Sequence, residues 1–386
     1  MDQKLRTMAD KYFMAYWCED NPELRETALA WNAAISAEAK KLHQECIIID
    51  MCSFFAETYN WQLEAGRPTA LNITVPQTYD PSYSGVVEKL IEMNYVPLAD
   101  PEHFMNILTT GDILEAKRTG KVGLIFGAQS CDFVRGLDLN SSVEIFARMG
   151  LRVMQIAYHS RSFAADGCDT GTDCGLSAQG RALIRAMERS HVTVDLSHVG
   201  CRSTLEALDM AQKPMIFSHS NPKAMFNNLR NITDEQAKKC AATNGVVGVV
   251  GFAPLLCDDK QGPSIQRFVD TIAYYADLLG IDHVGFGLDS NAEPGAYKHS
   301  DAREMAEYYF NPDNFSPGCI EYFHDRVEEA LAAGRGRLSV LTEGLHGIAN
   351  YPNIVDALLK RGFSREDVKK VMGGNFLRVF RDTWAQ

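Results

Sequence analysis

Two histidines that each follow a short apolar run are the residues of this sequence best suited to chemistry. His198 stands in the segment VDLSHVG and His219 in IFSHSNP, and a serine precedes each of them. A lone histidine is usually a hydrogen-bonded structural residue, but two imidazoles at neighbouring strand ends can share a metal ion. Asp289 ends a later run in HVGFGLDS, where a carboxylate is suited to take a proton from a metal-bound water.

These residues need a scaffold that brings the ends of several strands to one place. Eight apolar, β-branched runs alternate with longer helical stretches, at 46–50, 70–75, 121–126, 152–157, 192–197, 214–218, 245–250 and 283–289. Strands buried on both faces and alternating with helices indicate a parallel sheet, and eight units match a closed (β/α)8 barrel. A doubly wound open sheet is the alternative.

The barrel is favoured because polar residues follow nearly every run, where barrel enzymes keep their active sites. Besides the two histidines and the aspartate, these residues are Cys52, Gln129 and Tyr158. The sequence contains neither GxGxxG nor GxxxxGK[ST], so no nucleotide cofactor is indicated.

The chain divides into a helical N-terminal extension over 1–45 and a barrel with C-terminal helices over 46–386. Good helix formers with apolar residues at three-to-four spacing predict the extension. Two long rim insertions, 76–120 and 290–340, interrupt the barrel. The second is rich in aromatic and turn residues and is a candidate lid over the site.

Composition excludes several classes of protein. The chain has 386 residues, 46% of them hydrophobic, and a net charge of -12, which argues against nucleic-acid and anionic-membrane partners. No 18-residue apolar run and no signal peptide are evident. The ten cysteines form no close CxxC pairs, which favours reduced thiols and a cytoplasmic location.

Five segments in order, VDLSHVG, FSHSNP, LRNITDEQ, GIDHVGFGLD and GGNFLRVF, resemble those of the membrane (renal) dipeptidase family of zinc peptidases in the amidohydrolase superfamily. The resemblance covers nearly all of the chain after the first 40 residues. It implies a (β/α)8 barrel, a binuclear zinc centre and hydrolysis of short dipeptides, including dehydropeptide-like ones and ones with D-configured C-terminal residues. It also suggests a homodimer.

The resemblance assigns roles position by position. His198 and His219 match the two histidine ligands of one zinc, and Asp289 matches the acid that handles the water proton. Arg230, in LRNIT, matches the arginine that pairs with the substrate carboxylate. Tyr158 occupies the place of a histidine that contacts the scissile carbonyl, with His159 next to it, and its hydroxyl can donate to a developing oxyanion.

The sequence departs from the family at the other metal position. The family's first strand ends in a His-x-Asp pair, whereas IIIDMCSFF has Cys52 and Phe54 there, and phenylalanine cannot ligate zinc. Gln129, in GLIFGAQS, replaces the bridging glutamate with a neutral amide. We therefore expect at most one Zn²⁺ per chain. His198 and His219 would hold it, with help from Gln129, Asp289 or water.

Cys52 leaves two interpretations open. It offers a thiolate, a strong zinc ligand, from across the barrel mouth. Alternatively it is a small buried residue that fills the space left by histidine, as free cysteines commonly do.

The function predicted from these residues is hydrolysis of a small amide or dipeptide-like substrate that bears a carboxylate. One alternative is a repurposed mononuclear or metal-free enzyme, of isomerase, lyase or tailoring type, that acts on an amino-acid-derived metabolite. The other is a non-catalytic binding protein that kept the barrel and its pocket.

Overall fold

The computed structural model describes residues 22–53, 58–75, 82–256, 264–290 and 342–385, and the elements are numbered along these ranges. All strand pairs are parallel. The strands are β1 (Ile49–Ser53), β2 (Ala70–Thr74), β3 (Phe104–Asn106), β4 (Val122–Ala128), β5 (Leu151–Gln155), β6 (Thr193–Asp195), β7 (Ile216–Phe217), β8 (Val246–Val250) and β9 (Val284–Gly287).

Helices cover the outside of the sheet and its two ends. They are α1 (Pro22–Ala34), α2 (Ala37–Glu45), α3 (Trp61–Gly66), α4 (Tyr83–Ala99), α5 (Thr110–Thr119), α6 (Leu139–Arg148), α7 (Ala178–Arg189), α8 (Cys201–Asp209), α9 (Asp234–Ala242), α10 (Ala253–Leu256), α11 (Ile265–Leu279), α12 (Tyr351–Arg361), α13 (Arg365–Lys369) and α14 (Asn375–Thr383).

The sheet closes on itself. Its strand order is β1-β2-β4-β5-β6-β7-β8-β9, with β3 paired to β4 outside this path. The backbone N–H of Asp289 donates to the carbonyl of Cys52 at 2.9 Å, and a bridge joins Ser53 to Ser290. These contacts join the first and last strands, so the predicted (β/α)8 barrel is confirmed.

Two details of the predicted strands are wrong. The first strand runs from Ile49 to Ser53 rather than over 46–50, so Cys52 lies within it. Its pairing with β2 is irregular between Asp50 and Ser53, and a bulge of this kind re-aims side chains. The second is β3, which was not predicted because its three residues, FMN, are too few to show a periodicity.

The N-terminal region contains two helices where the sequence predicted one helical stretch. Ser36 separates them: its side chain caps α2 by accepting from the Ala39 N–H, and its hydroxyl donates to Asp356 on α12. Asn32 on α1 donates to the carbonyl of Ala349, just before α12. The two helices are therefore anchored to α12. Residues 1–21 lie outside the described part.

The C-terminal helix α14 covers the amino-terminal end of the barrel. Phe376, Phe380 and Trp384 are buried together with residues that begin the strands, among them Ile49 and Ala70. The ring of Trp384 stacks on Phe380 with centroids 4.0 Å apart. This end is thus filled by packed side chains, as expected for a barrel of this class.

The opposite, carboxyl-terminal end carries the rim insertions. The first contains α4, β3 and α5, and its residues 76–81 are not described. The candidate lid falls outside the described part except for Ser290. Among the described helices, none has the length and hydropathy needed to cross a bilayer.

His43 on α2 generates a prediction about acid stability. Its imidazole is buried and bonded to the carbonyl of Gly66 at 2.9 Å, and burial lowers its pKa to about 4. Because an unfolded histidine titrates near 6.5, the native state binds fewer protons between pH 6.5 and 4. This contribution to stability is complete above pH 6.5 and is lost as the pH falls toward 4.

We expect His43→Gln to flatten the fall in unfolding free energy between pH 6.5 and 4, by at most about 3 kcal/mol across that interval. Urea unfolding at several pH values measures it. His103→Gln, at a half-exposed histidine paired with Asp100, is the matched control. An unchanged pH slope in the His43 variant would contradict the prediction.

Candidate active site at the barrel mouth

The carboxyl ends of the strands bring the predicted residues together. The Nε2 atoms of His198 and His219 are 2.9 Å apart, and the thiol of Cys52 donates to Oδ1 of Asp289 at 3.3 Å. Cys52, His219 and Asp289 each offer a ligand atom within 4.8 Å of the others. Four residues from four different strand ends thus face one small volume, which is the geometry of a catalytic or metal site.

The ring of His219 is oriented by a hydrogen-bonded chain. The hydroxyl of Ser218 donates to Asp195 Oδ2 at 2.5 Å, so Nδ1–H of His219 donates to that hydroxyl at 2.6 Å. Asp195 is held by the side chain of Gln155 and by the N–H groups of Ser197 and Ser218. This chain fixes the tautomer of His219 and leaves a lone pair on Nε2.

His198 is placed against two aromatic rings. Its ring centroid lies 4.2 Å from that of Tyr158 and 4.5 Å from that of His159. Since Nε2 of His219 is an acceptor, Nε2 of His198 carries the hydrogen between them. Its Nδ1 is buried without a hydrogen-bond partner among the described residues. A buried nitrogen without a hydrogen-bond partner costs free energy. Binding of a cation or of a hydrogen-bond donor at this atom is therefore favourable.

Burial keeps both imidazoles neutral. It lowers the pKa of His198 and of His219 well below the usual value, and the charge of Arg230 lowers both further. The pKa of His159 falls to about 3 for the same two reasons. Neutral imidazoles are the form that binds metal.

The pKa values of Asp289 and Cys52 shift in the opposite direction, upward. Burial raises the pKa of Asp289, against the Cys52 hydrogen bond and the charge of Arg230. Burial also raises the pKa of Cys52 well above its usual value, and the negative charges of Asp289 and Asp50 add to this. Without a cation, Cys52 is therefore a thiol and not an activated nucleophile.

Gln129 reaches the same volume from the end of β4. Its amide Nε2 donates to Thr74 Oγ1 at 2.8 Å and lies 3.5 Å from the sulfur of Cys52. The amide nitrogen, not the oxygen, thus points at Cys52. The sequence-predicted role of Gln129 as a weak metal ligand gains no support from this orientation.

Arg230 is buried behind His219. Its guanidinium donates to the hydroxyl of Ser220 at 3.0 Å and to the backbone carbonyl of His219 at 2.7 Å. Its Nε has no partner among the described residues. Because two of its five N–H groups are used, the others remain to bind an anion.

The family profile described as membrane dipeptidase (peptidase family M19) matches residues 7–307 and 337–385. The chain belongs to peptidase family M19. The predicted family is confirmed.

Relatives of this M19 chain include dipeptidase tcpJ of Claviceps purpurea, 29% identical over 70% of the chain. The chain spans about half, 53%, of that relative's length. An amidohydrolase from Pseudomonas aeruginosa is 29% identical, with a TM-score of 0.76 over 90% of this chain and 99% of its own. A metallopeptidase from Rhodobacter sphaeroides, crystallised with a phosphinate mimic of L-Ala-D-Ala, is 16% identical, with a TM-score of 0.67 over 88% and 99%.

The residues of this M19 chain fit one divalent ion better than two. The facing Nε2 atoms of His198 and His219, together with the thiol of Cys52 and the carboxylate of Asp289, supply nitrogen, sulfur and oxygen donors. Gln129, where the resemblance implies a bridging glutamate, is a neutral amide whose Nε2 donates to Thr74. Within the described ranges, no second group of three such side chains is found. Phe54, the other predicted substitution, lies outside them.

Sequence reasoning missed the residues that hold the histidines in place. Ser218 and Asp195 appear in the quoted segments, but nothing in VDLSHVG or FSHSNP shows that they form one chain. His159 was noted only as the neighbour of Tyr158, yet its ring contacts His198 as Tyr158 does. The serine before each histidine was the available signal.

Ser218→Ala tests the orienting chain. It removes the hydroxyl between Asp195 and His219, so the tautomer and orientation of that imidazole are no longer fixed. Loss of such a supporting bond costs about 10–100-fold in metal affinity. Competition titration of Zn²⁺ measures it. Ser142→Ala, at a buried serine on α6, is the control, and equal affinities in the two variants would refute the role.

Proposed function

We propose that this protein is a dipeptidase-like metallohydrolase that cleaves a small amide or dipeptide-like substrate bearing a carboxylate, with at most one divalent metal ion. The observation that carries the proposal is the cluster of Cys52, His219 and Asp289 at the barrel mouth, with His198 bonded to His219. Family membership and the dipeptide mimic bound by the Rhodobacter sphaeroides relative support the substrate class.

The chain's own residues supply most of the chemistry. A divalent ion, when bound, supplies Lewis acidity to the scissile amide. Asp289 accepts the proton of the attacking water, and its raised pKa makes it a better base than an ordinary carboxylate. Tyr158, packed on His198, donates a hydrogen bond to the oxyanion that forms at the amide carbon.

Arg230 binds the substrate carboxylate in this proposal. Its anchoring to Ser220 and His219 fixes the guanidinium beside the site and lowers the entropy lost on binding. The positive charge also opposes the rise in the pKa of Asp289 that burial causes.

The alternative is a repurposed enzyme of isomerase, lyase or tailoring type. The substitution of a neutral amide, Gln129, at the bridging position favours it, because a complete binuclear centre is lost. A panel of dipeptides that is not turned over, while a carboxylate metabolite raises the melting temperature, would favour this function. Binding without any turnover would favour a non-catalytic protein.

Asp289→Asn tests the proposed reaction. Removing a general base lowers kcat by about 10²–10⁴-fold, so turnover of L,L-, L,D- and dehydropeptide substrates is expected to fall by that factor. Steady-state kinetics with added Zn²⁺ measures it. Asp234→Asn, at a carboxylate bonded to Tyr274 on the barrel exterior, is the control. Undiminished turnover in the Asp289 variant would exclude the assigned role.

Arg230→Lys tests carboxylate binding. The change keeps the charge and removes the planar fork, so KM for free dipeptides is expected to rise about 10–100-fold. Dipeptide amides, which lack the carboxylate, should show the same KM with both proteins. A merely structural role for Arg230 would change both substrate classes alike, and that result would contradict the proposal.

A further inference from the structure

The geometry points to a mononuclear metal site in which Cys52 is a thiolate ligand, together with His219 and Asp289. This inference deepens the proposed function, because it names the ligands of the one ion that the function requires. The sequence alone assigned the ion to His198 and His219, with help from Gln129, Asp289 or water, and left open whether Cys52 is a ligand.

The spacing of the three side chains suits one tetrahedral ion. The sulfur of Cys52 lies 3.3 Å from Oδ1 of Asp289. Sulfur and oxygen ligands of one zinc are about 3.6 Å apart at ordinary bond lengths of 2.3 and 2.0–2.2 Å. The ligand atom of His219 lies within 4.8 Å of both. Small side-chain rotations therefore suffice to bring all three to one ion.

The orientation of His219 selects its ligand atom. Since Nδ1–H donates to Ser218, Nε2 is the atom that carries the lone pair, and this lone pair faces Nε2 of His198. Nε2 of His198 lies 2.9 Å from Nε2 of His219 and donates to it, so an ion bound there takes the place of this hydrogen bond. Three protein ligands leave the fourth position of a tetrahedral ion open to water or substrate, as in catalytic zinc sites.

The two histidines alone make a poor site. Catalytic zinc has three good protein ligands, and Gln129 presents an N–H rather than an oxygen to this volume. Cys52 and Asp289 are the groups that supply the missing donors. Cys52 is buried and Asp289 is half-buried, and the backbone bond from the Asp289 N–H to the Cys52 carbonyl holds the two residues together.

The surroundings of Cys52 favour a cation over a free thiolate. The carboxylate of Asp289 lies 3.3 Å from the sulfur, and the carboxylate of Asp50 accepts a hydrogen bond from the Cys52 N–H at 3.0 Å, so two acids flank Cys52. A divalent ion is attracted by the same carboxylates. As it binds, the S–H bond breaks, a sulfur–metal bond forms and the proton passes to solvent. A thiolate selects zinc or cobalt over magnesium and manganese.

Cobalt substitution tests the inference without relying on activity. Metal-free full-length protein is titrated with Co²⁺, and the near-ultraviolet thiolate-to-cobalt charge-transfer band is recorded. We expect one equivalent of Co²⁺ and a band that disappears in Cys52→Ser. Zn²⁺ affinity of that variant should fall at least about 100-fold, since even the loss of a supporting residue costs about 10–100-fold.

Cys168→Ser is the matched control, because Cys168 is the other described thiol near a mouth histidine, 3.8 Å from His159 Nδ1. This variant should keep the band and the affinity. Circular dichroism of each variant establishes that it is folded. A band that survives in Cys52→Ser, a band lost in Cys168→Ser, or a metal-loaded wild type without a band would each overturn the inference.

The outcomes separate this inference from the proposed function. Dipeptide turnover by an enzyme whose cobalt form lacks the band would refute thiolate ligation and leave the hydrolase function standing. A band lost in Cys52→Ser, with no turnover of any dipeptide, would support the ligand set and refute the function. Two equivalents of bound metal would refute the mononuclear site.

Discussion

The junction between β1 and β9 is the interaction on which the site depends. Asp50 accepts hydrogen bonds from the N–H groups of Cys52 and Leu288 and from the hydroxyl of Tyr351, so one carboxylate holds the first strand, the last strand and α12 together. The backbone bond from Asp289 to Cys52 lies next to it. This closure brings together a thiol and an acid that are 237 residues apart in the chain.

The mouth also carries backbone strain. Among the described non-glycine residues with positive φ are His159, His198 and Asp289, at 52°, 68° and 59°. Such conformations are uncommon for these residues and persist where the surrounding structure imposes them. The chain leaves a buried strand before each of these three residues. The positive φ turns the side chain of each residue toward the barrel mouth.

Charge in the site is arranged around Arg230. Burial lowers the pKa of His198 and His219, and the Arg230 guanidinium lowers both further, so the imidazoles stay neutral. The same charge limits the rise in the pKa of Asp289 that burial causes. Beside the positive charge of Arg230, the neutral imidazoles of His198 and His219 alone would not offset the charge of a divalent ion. The site therefore needs anionic ligands. Asp289 and the Cys52 thiolate provide that charge, which ties the metal site to the electrostatics of the barrel mouth.

The sequence by itself determined the barrel and much of the site. Apolar runs at regular spacing predict parallel strands, and residues after such runs meet at one end, so His198, His219 and Asp289 were found from their positions alone. Only the tertiary structure decided the rest. The bulge in β1 that governs where Cys52 points, the amide orientation of Gln129 and the chain from Asp195 through Ser218 to His219 arise from contacts between distant segments. Local patterns record burial and periodicity, but they carry no information about which atoms face each other across a closed barrel.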